Sequence, residues 1–336
     1  MPARAEGPAL SLLEVADLRV TYRSASGRLP ALRGVDLAVE AGQKVGIAGE
    51  SGCGKSTLAL SLLRLLPAGA QVTGRILLDG EDVLTMGWGR LRAVRWAAAS
   101  IVFQGAMHSL NPVRRVGAQI LEPILLHGRA GGADPGARVA RLLEDVGLTA
   151  SAAEAYPHQL SGGQRQRVMI AMALACSPRL VVADEPTSAL DVMVQAQILR
   201  LVDRLVTDQG IGLIMISHDL SVLISACDRL LVMYAGRIVE EGPAGEVFAA
   251  PRHPYTAALA SAHPRIGDRA SRRKPGGLPG DPPDAERLPG GCSFRPRCPV
   301  AVAECELVDP PLWPAGAGRR AACVHVRPAG PGTGVL

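Results

Sequence analysis

The sequence predicts an α/β fold, because three short apolar segments of strand length are separated by stretches with helical spacing. These segments are Lys44–Ala48, Leu180–Glu185 and Gly212–Ser217. Apolar residues recur three and four positions apart through much of Gly117–Ala175, as they do along one face of an α-helix. A glycine-rich stretch connects the first segment to a good helix former, Ser56–Leu65. Strands that alternate with helices in this way are typical of an α/β domain.

Length and composition allow one large domain with an extension, or two modest domains. The chain has 336 residues, of which 48% are hydrophobic, so it can bury a sizeable core. Aromatic residues make up 3% of the chain, which leaves Ala, Leu and Val to fill the interior.

The charge balance is basic, with a formal net charge of +5 and a pI near 9.0. It suits nucleic acid or a position near anionic lipid. The arginines are dispersed and the densest basic cluster (Arg269, Arg272, Arg273, Lys274) lies in a Pro/Gly-rich segment, which disfavours nucleic acid. No apolar run has the length of a membrane span, and the N-terminus lacks the apolar region of a signal peptide. We therefore expect a soluble cytosolic chain whose seven cysteines do not form disulfides.

A phosphate-binding motif follows the first predicted strand. Residues Gly49–Ser56 fit the pattern G-x-x-x-x-G-K-[ST] without a mismatch. Lys55 supplies a compact positive charge for the β- and γ-phosphates, and the Ser56 hydroxyl is placed to hold Mg²⁺. The loop amides can close around a triphosphate because three positions lack a Cβ: Gly49, Gly52 and Gly54. The motif predicts a nucleoside triphosphate site at the N-terminus of the next helix.

Two further strand ends carry candidate catalytic groups. Leu180–Glu185 ends in two carboxylates, where a P-loop enzyme is expected to place its Mg²⁺ partner. We therefore predict that Asp184 binds Mg²⁺ and that Glu185 orients or deprotonates the attacking water. His218 follows Gly212–Ser217, and it is either a core histidine or a γ-phosphate contact; its place at the carboxyl end of a strand favours the contact.

A second anion site is predicted at Leu160–Gln164, which reads L-S-G-G-Q and precedes an apolar helix, Val168–Ala175. Ser161 is a good N-cap residue. Gly162-Gly163 leaves the backbone amides at the helix start open to an anion.

Two side chains gain a function only from their position in the fold. Tyr22 lies between the predicted antiparallel strands Leu12–Val20 and Gly34–Glu40, and it can stack on adenine or be a half-buried strand aromatic. Gln104 ends the apolar segment Ser100–Gln104, and it matters only if that strand lies beside the P-loop strand.

The remaining local predictions concern turns, helix faces and a linker. Gly74–Leu78 is a predicted strand, and Arg229–Tyr234 with Arg237–Glu241 form a predicted hairpin. A loop at Gly128–Gly136 separates two apolar helix faces. The faces consist of Ile120, Ile124 and Leu125, and of Val139, Leu142, Leu143 and Val146. Arg265–Gly290 is rich in Pro, Gly and Arg and is a predicted linker.

Together these motifs resemble the nucleotide-binding subunit of an ABC transporter. LSGGQ is far more specific than the P-loop, which many NTPases share. Six segments carry the resemblance: Gly49–Ser56, Gln104, Leu160–Gln164, Leu180–Glu185, Ser188–Asp191 and His218. The resemblance covers residues 12–250. It implies a P-loop NTPase (RecA-like) core with an antiparallel β subdomain and an α-helical subdomain at residues 105–175. A C-terminal cysteine-containing extension, 251–336, would follow.

A narrower resemblance is to the oligopeptide/dipeptide importer subfamily, and within it to the first of two paired ATPase subunits. It rests on Phe103-Gln104 leading to Ser109–Pro112, Val168–Ala173, Asp191–Ile198 and His253–Thr256. Gly105-Ala106 departs from the Asp-Pro that is more usual after the Gln, in a segment that faces the membrane partner in this family. The resemblance implies peptide import, with nickel or glutathione as alternative cargo.

The resemblance also implies roles at an ATP site. Catalysis would rest on Glu185, His218, Gln104 and Lys55, and Mg²⁺ would be held by Ser56, Gln104 and Asp184. The nucleotide contacts would be Tyr22, Gly49, Ser51, Gly52, Cys53, Gly54, Lys55, Ser56, Thr57 and Asp191, with Ser161, Gly162, Gly163 and Gln164 serving the nucleotide of a second subunit.

The implied partners form a transporter. A second ABC ATPase subunit would pair with this chain head to tail as a heterodimer. Two integral-membrane permease subunits and an extracytoplasmic solute-binding protein would complete the assembly. This chain would then be peripheral, on the cytoplasmic face of the inner membrane, with no nucleic acid partner.

Four cysteines lie in the predicted extension: Cys292, Cys298, Cys305 and Cys323. Their spacing is looser than in a zinc ribbon or a bacterial ferredoxin, so chemistry alone leaves both metal binding and buried or unpaired thiols open. Subfamily tails with four such cysteines are associated with an iron–sulfur cluster. The resemblance therefore implies a [4Fe–4S] cluster in segment 292–323, after a linker at 265–290. We expect the other cysteines to pack in the interior: Cys53, Cys176 and Cys227.

Three other classes of protein compete with a transport ATPase. A non-transport ABC ATPase of translation or chromosome repair is disfavoured, because the chain has one P-loop and no sustained heptads. LSGGQ and the segment Ser188–Asp191 argue against a P-loop kinase or GTPase. A nucleic-acid binder is supported by the basic pI alone.

Overall fold

The structure, a computed structural model, describes residues 11–24, 27–103, 109–128, 134–186, 191–262, 278 and 280–326. Within these residues the strands are β1 (Leu13–Ser24), β2 (Gly27–Val39), β3 (Lys44–Ala48), β4 (Gln71–Leu78), β5 (Glu81–Asp82), β6 (Ala99–Val102), β7 (Leu180–Asp184), β8 (Gly212–Ile216), β9 (Arg229–Tyr234), β10 (Arg237–Pro243), β11 (Trp313–Pro314) and β12 (Arg320–Ala321). The α-helices are α1 (Lys55–Leu62), α2 (Trp88–Val94), α3 (Val116–Leu126), α4 (Pro135–Asp145), α5 (Gly162–Leu174), α6 (Val192–Gln209), α7 (Leu220–Ala226), α8 (Ala244–Ala249), α9 (Pro254–Ser261) and α10 (Glu304–Leu307).

The larger sheet has the strand order β11-β12-β10-β9-β3-β8-β7-β6. Its strands β6, β7, β8, β3 and β9 run parallel to one another, so their carboxyl ends lie at one edge. Alternate residues of β7 enter two separate cores: Val181 and Ala183 enter one, and Leu180 and Val182 enter the other. Burial on both faces explains why these strands are continuous apolar runs in the sequence.

The two cores lie on opposite faces of this sheet. Helices α3 to α7 cover one face. Helix α1 and a smaller antiparallel sheet, with the order β2-β1-β4-β5, cover the other. The predicted antiparallel pair is confirmed, but β1 is longer than predicted and contains Tyr22.

Three predictions about helices need correction. Helix α1 ends at Leu62 and not at Leu65, and Arg64 has a φ of +49° that a helix cannot continue through. Helix α4 begins at Pro135, inside the predicted loop, because the Asp134 carboxylate accepts from the first backbone amides and caps it. Leu125 is 59% exposed although Ile120 and Ile124 are fully buried. A residue five positions along is rotated by about 140° around the helix and leaves the face.

The C-terminal region adds strands to the larger sheet. Strand β12 pairs with β10, and β11 pairs with β12. A buried ion pair supports this junction, since Nη2 of Arg319 donates to the fully buried Glu240 carboxylate at 2.8 Å. The backbone N–H groups of Arg252 and His253 donate to the same carboxylate at 2.9 and 2.8 Å. Glu240 is therefore both paired and hydrogen-bonded, as a buried charge requires.

None of the helices in the described part of the chain combines the length and hydrophobicity needed to cross a membrane.

Candidate nucleotide-binding site

The P-loop connects the end of β3 with the start of α1, and its geometry accounts for its glycines. A Cβ on Gly49 would lie 2.4 Å from the Met233 carbonyl oxygen. One on Gly54, the N-cap residue of α1 with a φ of +109°, would lie 2.6 Å from the Ala31 carbonyl oxygen. Gly52 has a φ of +78°, which favours glycine for conformational reasons. The loop thus has a shape that bulkier residues would disturb.

Lys55 is buried inside this loop. Its Nζ donates to the carbonyl oxygens of Gly49 at 2.7 Å and Glu50 at 2.9 Å. The Sγ atom of Cys53 lies 3.8 Å from the same Nζ, and burial raises the pKa of this thiol. The positive charge is therefore fixed at the centre of the loop, where a phosphate would meet it.

Asp184, at the end of β7, meets Ser56 of α1. Burial raises the pKa of Asp184 above its ordinary value, although a hydrogen bond from the Ser56 hydroxyl opposes this shift. The Oδ1 atom of Asp184 is buried and has no hydrogen-bond partner among the described residues. A carboxylate oxygen without a partner, beside a serine hydroxyl, fits Mg²⁺, which takes oxygen ligands.

Glu185 and His218 come together from neighbouring strands. The Glu185 N–H donates to the Ile216 carbonyl at 2.9 Å, and Oε1 of Glu185 lies 3.6 Å from Nδ1 of His218. Glu185 has a φ of +46°, which costs about 1–3 kcal/mol for a residue with a Cβ and is found most often at functional sites. The mostly exposed His218 is not a core histidine.

Tyr22 reaches the P-loop helix from β1. Its hydroxyl donates to Oγ1 of Thr57 at 3.2 Å, and its side chain is half-buried. The contact places an aromatic ring beside the N-terminus of α1, which is compatible with both interpretations of this residue.

The LSGGQ segment forms the start of α5. Ser161 is the N-cap residue, as predicted, and it exchanges two hydrogen bonds with Gln164 in a capping box, at 3.3 and 2.9 Å. A Cβ on Gly163 would lie 2.7 Å from Cγ1 of Val194, so this glycine lets α5 approach α6. Both Ser161 and Gln164 are exposed, and a second subunit can reach this helix end.

Of the two remaining segments that carry the resemblance, the structure describes only Asp191. Asp191 is the N-cap residue of α6, and its carboxylate accepts from the Val194 N–H at 2.9 Å. Gln104 and residues Ser188–Leu190 lie outside the described residues, so their roles stay predictions.

The four cysteines of the C-terminal region line one small cavity: Cys292, Cys298, Cys305 and Cys323. The Cys292 N–H donates to the Cys305 carbonyl at 2.9 Å, and burial raises the pKa of three of the thiols (Cys292, Cys298 and Cys323). In the part of the chain that the structure describes, no three His, Cys, Asp or Glu residues are grouped as ligands of a metal ion. The fold thus gathers the cysteines but does not show ligand geometry.

One contact of the P-loop was not predicted from the sequence. Nη1 and Nη2 of Arg297 donate to the two carboxylate oxygens of Glu50 at 2.7 and 2.9 Å. The Glu50 N–H donates to the Tyr255 hydroxyl at 2.9 Å. Arg297 is 247 positions from Glu50, so no local pattern connects them.

Comparisons with known proteins show the family of this chain. A family model described as ABC transporter matches residues 32–188, and one described as the C-terminal region of oligopeptide/dipeptide transporters matches residues 239–305. The oligopeptide transport ATP-binding protein OppD of Salmonella typhimurium is 44% identical over 322 residues, which cover 95% of each chain. This chain belongs to the ATP-binding subunits of ABC transporters. OppD of Escherichia coli is 43% identical to this ABC ATPase over 321 residues, which cover 95% of this chain and 94% of that protein.

A solved structure shows the same fold. The ATP-binding cassette MJ0796, in a dimeric post-hydrolysis state bound to ADP and Pi, matches with a TM-score of 0.62 and 28% identity. The match covers 69% of this chain and 98% of that one. It confirms the predicted P-loop NTPase core of this ABC ATPase, with its mixed and antiparallel sheets.

Proposed function

We propose that this chain is the ATP-hydrolysing subunit that powers the import of peptides through a membrane ABC permease. One observation carries the proposal: neighbouring parallel strands bring the candidate catalytic groups to one edge of the sheet. Lys55 follows β3, Asp184 and Glu185 are at the end of β7, and His218 follows β8. Peptides are the proposed cargo because the curated relatives are oligopeptide transport proteins.

Each residue of the site has a chemical role in the proposed reaction. Lys55 and the loop amides bind the β- and γ-phosphates, and Tyr22 stacks on adenine. Ser56 and Asp184, with Gln104, would hold Mg²⁺, and a bound Mg²⁺ would supply positive charge to the phosphates. Glu185 polarises the attacking water, and His218 contacts the γ-phosphate.

The site is incomplete within one chain, so we assign a second ABC ATPase subunit as partner. Ser161 and Gln164, with the two glycines between them, would bind the nucleotide of that partner. The exposed helix start at α5 supports this arrangement, as does the dimeric state of the related cassette. In a head-to-tail heterodimer, hydrolysis would then depend on closure of the two subunits.

A surface groove is the proposed docking site for the permease. It lies between α2 and the end of α3 and includes Trp88, Trp96 and Leu126, three apolar side chains that are exposed. Exposed apolar groups that share one groove mark interaction sites. The groove also borders the residues that lead into β6 and on to Gln104, so a docked permease would be linked in sequence to the ATP site. The chain would accordingly be peripheral, on the cytoplasmic face of the inner membrane, without a nucleic acid partner.

We assign residues 12–250 to the nucleotide-binding domain, with its helical subdomain at 105–175, and residues 251–336 to the C-terminal extension, with its linker at 265–290. In segment 292–323 the four cysteines are the proposed ligands of a [4Fe–4S] cluster. The convergence of the four cysteines on one cavity supports this assignment.

Anaerobic purification tests the cluster. We expect a brown protein with iron and sulfide in equal amounts, and loss of both in Cys298→Ser. Cys227→Ser, which alters a buried cysteine outside the cavity, should retain them. A colourless protein without metal would exclude the cluster.

Reconstitution tests the transport function. The chain would be assembled with its partner ATPase and permeases in liposomes, and phosphate release would be measured with and without the solute-binding protein. We expect release to rise when the binding protein is loaded with peptide, and peptide to accumulate on the opposite side. Stimulation by nickel or glutathione instead would identify the alternative cargo. ATPase activity that is the same with and without the permeases and the binding protein would point to a non-transport ABC ATPase.

A further inference from the structure

We propose that Arg297 is a positioning residue for the P-loop, which it controls from the C-terminal region by holding the Glu50 carboxylate. The proposal rests on the proposed function of the P-loop as an ATP site. It extends that function, because it makes the affinity for ATP depend on a residue outside the nucleotide-binding motifs.

The contact between Arg297 and Glu50 has a defined geometry. Two parallel hydrogen bonds of 2.7 and 2.9 Å join the guanidinium to the carboxylate, and such a bidentate pair defines orientation as well as distance. The Arg297 side chain is 7% exposed and that of Glu50 is 20% exposed, so water screens the pair only in part. The guanidinium also donates to the Gly280 carbonyl at 3.2 Å and lies 5.9 Å from the centre of the Tyr234 ring.

Every polar group of Glu50 is held, and two of its partners belong to the C-terminal region. The carboxylate binds Arg297, the N–H donates to the Tyr255 hydroxyl at 2.9 Å, and the carbonyl accepts from Nζ of Lys55 at 2.9 Å. Tyr255 is fully buried, and its ring packs 4.6 Å from that of Tyr234, between ring centres. The first turn of the P-loop is thus attached to a rigid aromatic cluster.

The charge of Glu50 gives this attachment an electrostatic consequence. A carboxylate beside a loop that binds a triphosphate repels its ligand unless a cation compensates it. Arg297 supplies that cation. Truncation of Arg297 would leave the Glu50 carboxylate unpaired and free to move. A variant that lacks both charges would lose the support that the ion pair gives the P-loop, but it would carry no unpaired carboxylate.

The short helix that carries Arg297 provides a matched control. Arg295 lies in the same turn, Arg295–Arg297, and its Nη1 is 3.2 Å from Oε1 of Glu306, away from the P-loop. A general effect on the C-terminal fold should therefore appear in Arg295→Ala as well, while a positioning effect should appear only in Arg297→Ala.

The test measures ATP affinity of the full chain by equilibrium titration, and KM and kcat in the assembled transporter. For Arg297→Ala we expect an ATP Kd raised about tenfold, with kcat at saturating ATP within about twofold of the wild type. Arg297→Lys should recover part of the affinity, because a lysine restores the charge but not the two parallel bonds. The double variant Glu50→Gln/Arg297→Ala should bind ATP more tightly than Arg297→Ala, and Arg295→Ala should match the wild type.

Three results would overturn the proposal: an unchanged ATP Kd in both Arg297 variants, an equal loss in Arg295→Ala, or no recovery in the double variant. Thermal unfolding of each variant shows whether it is folded, and Arg297→Lys provides a readout should Arg297→Ala not fold. A wild-type chain that does not bind ATP would instead contradict the proposed function. The two failures are therefore distinguishable.

Discussion

Acid should destabilise the fold through His253, a residue far from any predicted catalytic role. Its ring is buried, and its Nδ1 accepts from the Tyr255 N–H at 3.0 Å, which caps α9. A second hydrogen bond joins the ring to the backbone of Ala322 in the C-terminal region. Burial lowers the pKa of His253 from 6.5 to about 3, so the folded protein keeps a neutral imidazole.

The sign and size of the effect follow from this pKa. Below pH 6.5 the unfolded chain binds a proton that the folded chain does not, so stability that is present above pH 6.5 is lost as the pH falls towards 3. Each pH unit within this window contributes about 1.4 kcal/mol. Between neutral pH and about pH 4.5, His253 should therefore reduce the free energy of unfolding by about 2.5 kcal/mol.

Urea denaturation at several pH values measures this loss, with His253→Asn as the control. The asparagine oxygen can still accept from the backbone at the helix start, but it does not titrate. Carboxylates titrate alike in both proteins, so their contribution cancels when one free energy of unfolding is subtracted from the other. We expect the wild type to lose about 2.5 kcal/mol more than the variant between neutral pH and about pH 4.5. An identical pH dependence in the two proteins would refute the reasoning.

Three further substitutions test the site and the C-terminal junction. Lys55→Ala should weaken ATP binding by about 2–3 kcal/mol, because it removes the buried charge at the centre of the loop; an unchanged affinity in equilibrium titration would contradict this role. Asp184→Asn should shift the Mg²⁺ dependence of phosphate release to higher concentrations, and an unchanged requirement would remove Asp184 from the metal site. Arg319→Leu should lower the free energy of unfolding in urea by about 3–5 kcal/mol, because it leaves the buried Glu240 unpaired. Arg320→Ala, which breaks a partly exposed pair, should cost about 1 kcal/mol or less, and an equal loss in both would contradict the burial argument.

Local patterns predicted much of the fold. The hairpin between β9 and β10 is one case, since Ala235 and Gly236 have φ values of +46° and +78° that suit its tight turn. Ser161 is another, because a cap depends on residues three positions apart. Cys176 and Cys227 are buried, as their apolar surroundings in the sequence predicted. In each case the information lies within a few residues of the feature.

Long-range contacts could not be predicted in this way. Glu50 and Arg297 meet across 247 positions, and neither residue has a sequence context that identifies the other. Strands β11 and β12 have two residues each, too few for periodicity to reveal them. Leu125 is a different case, since an apolar residue near a helix end fits a core pattern, yet its angle around the helix leaves it 59% exposed.

The most direct test of the proposed closure of two ATPase subunits on ATP is Glu185→Gln in the complete pair of subunits. With ATP and Mg²⁺, the variant pair should bind ATP as the wild type does, remain associated in size-exclusion chromatography, and release phosphate at least about 100-fold more slowly. Undiminished phosphate release, or a pair that does not associate around ATP, would contradict the central claim that two such subunits close on ATP to hydrolyse it.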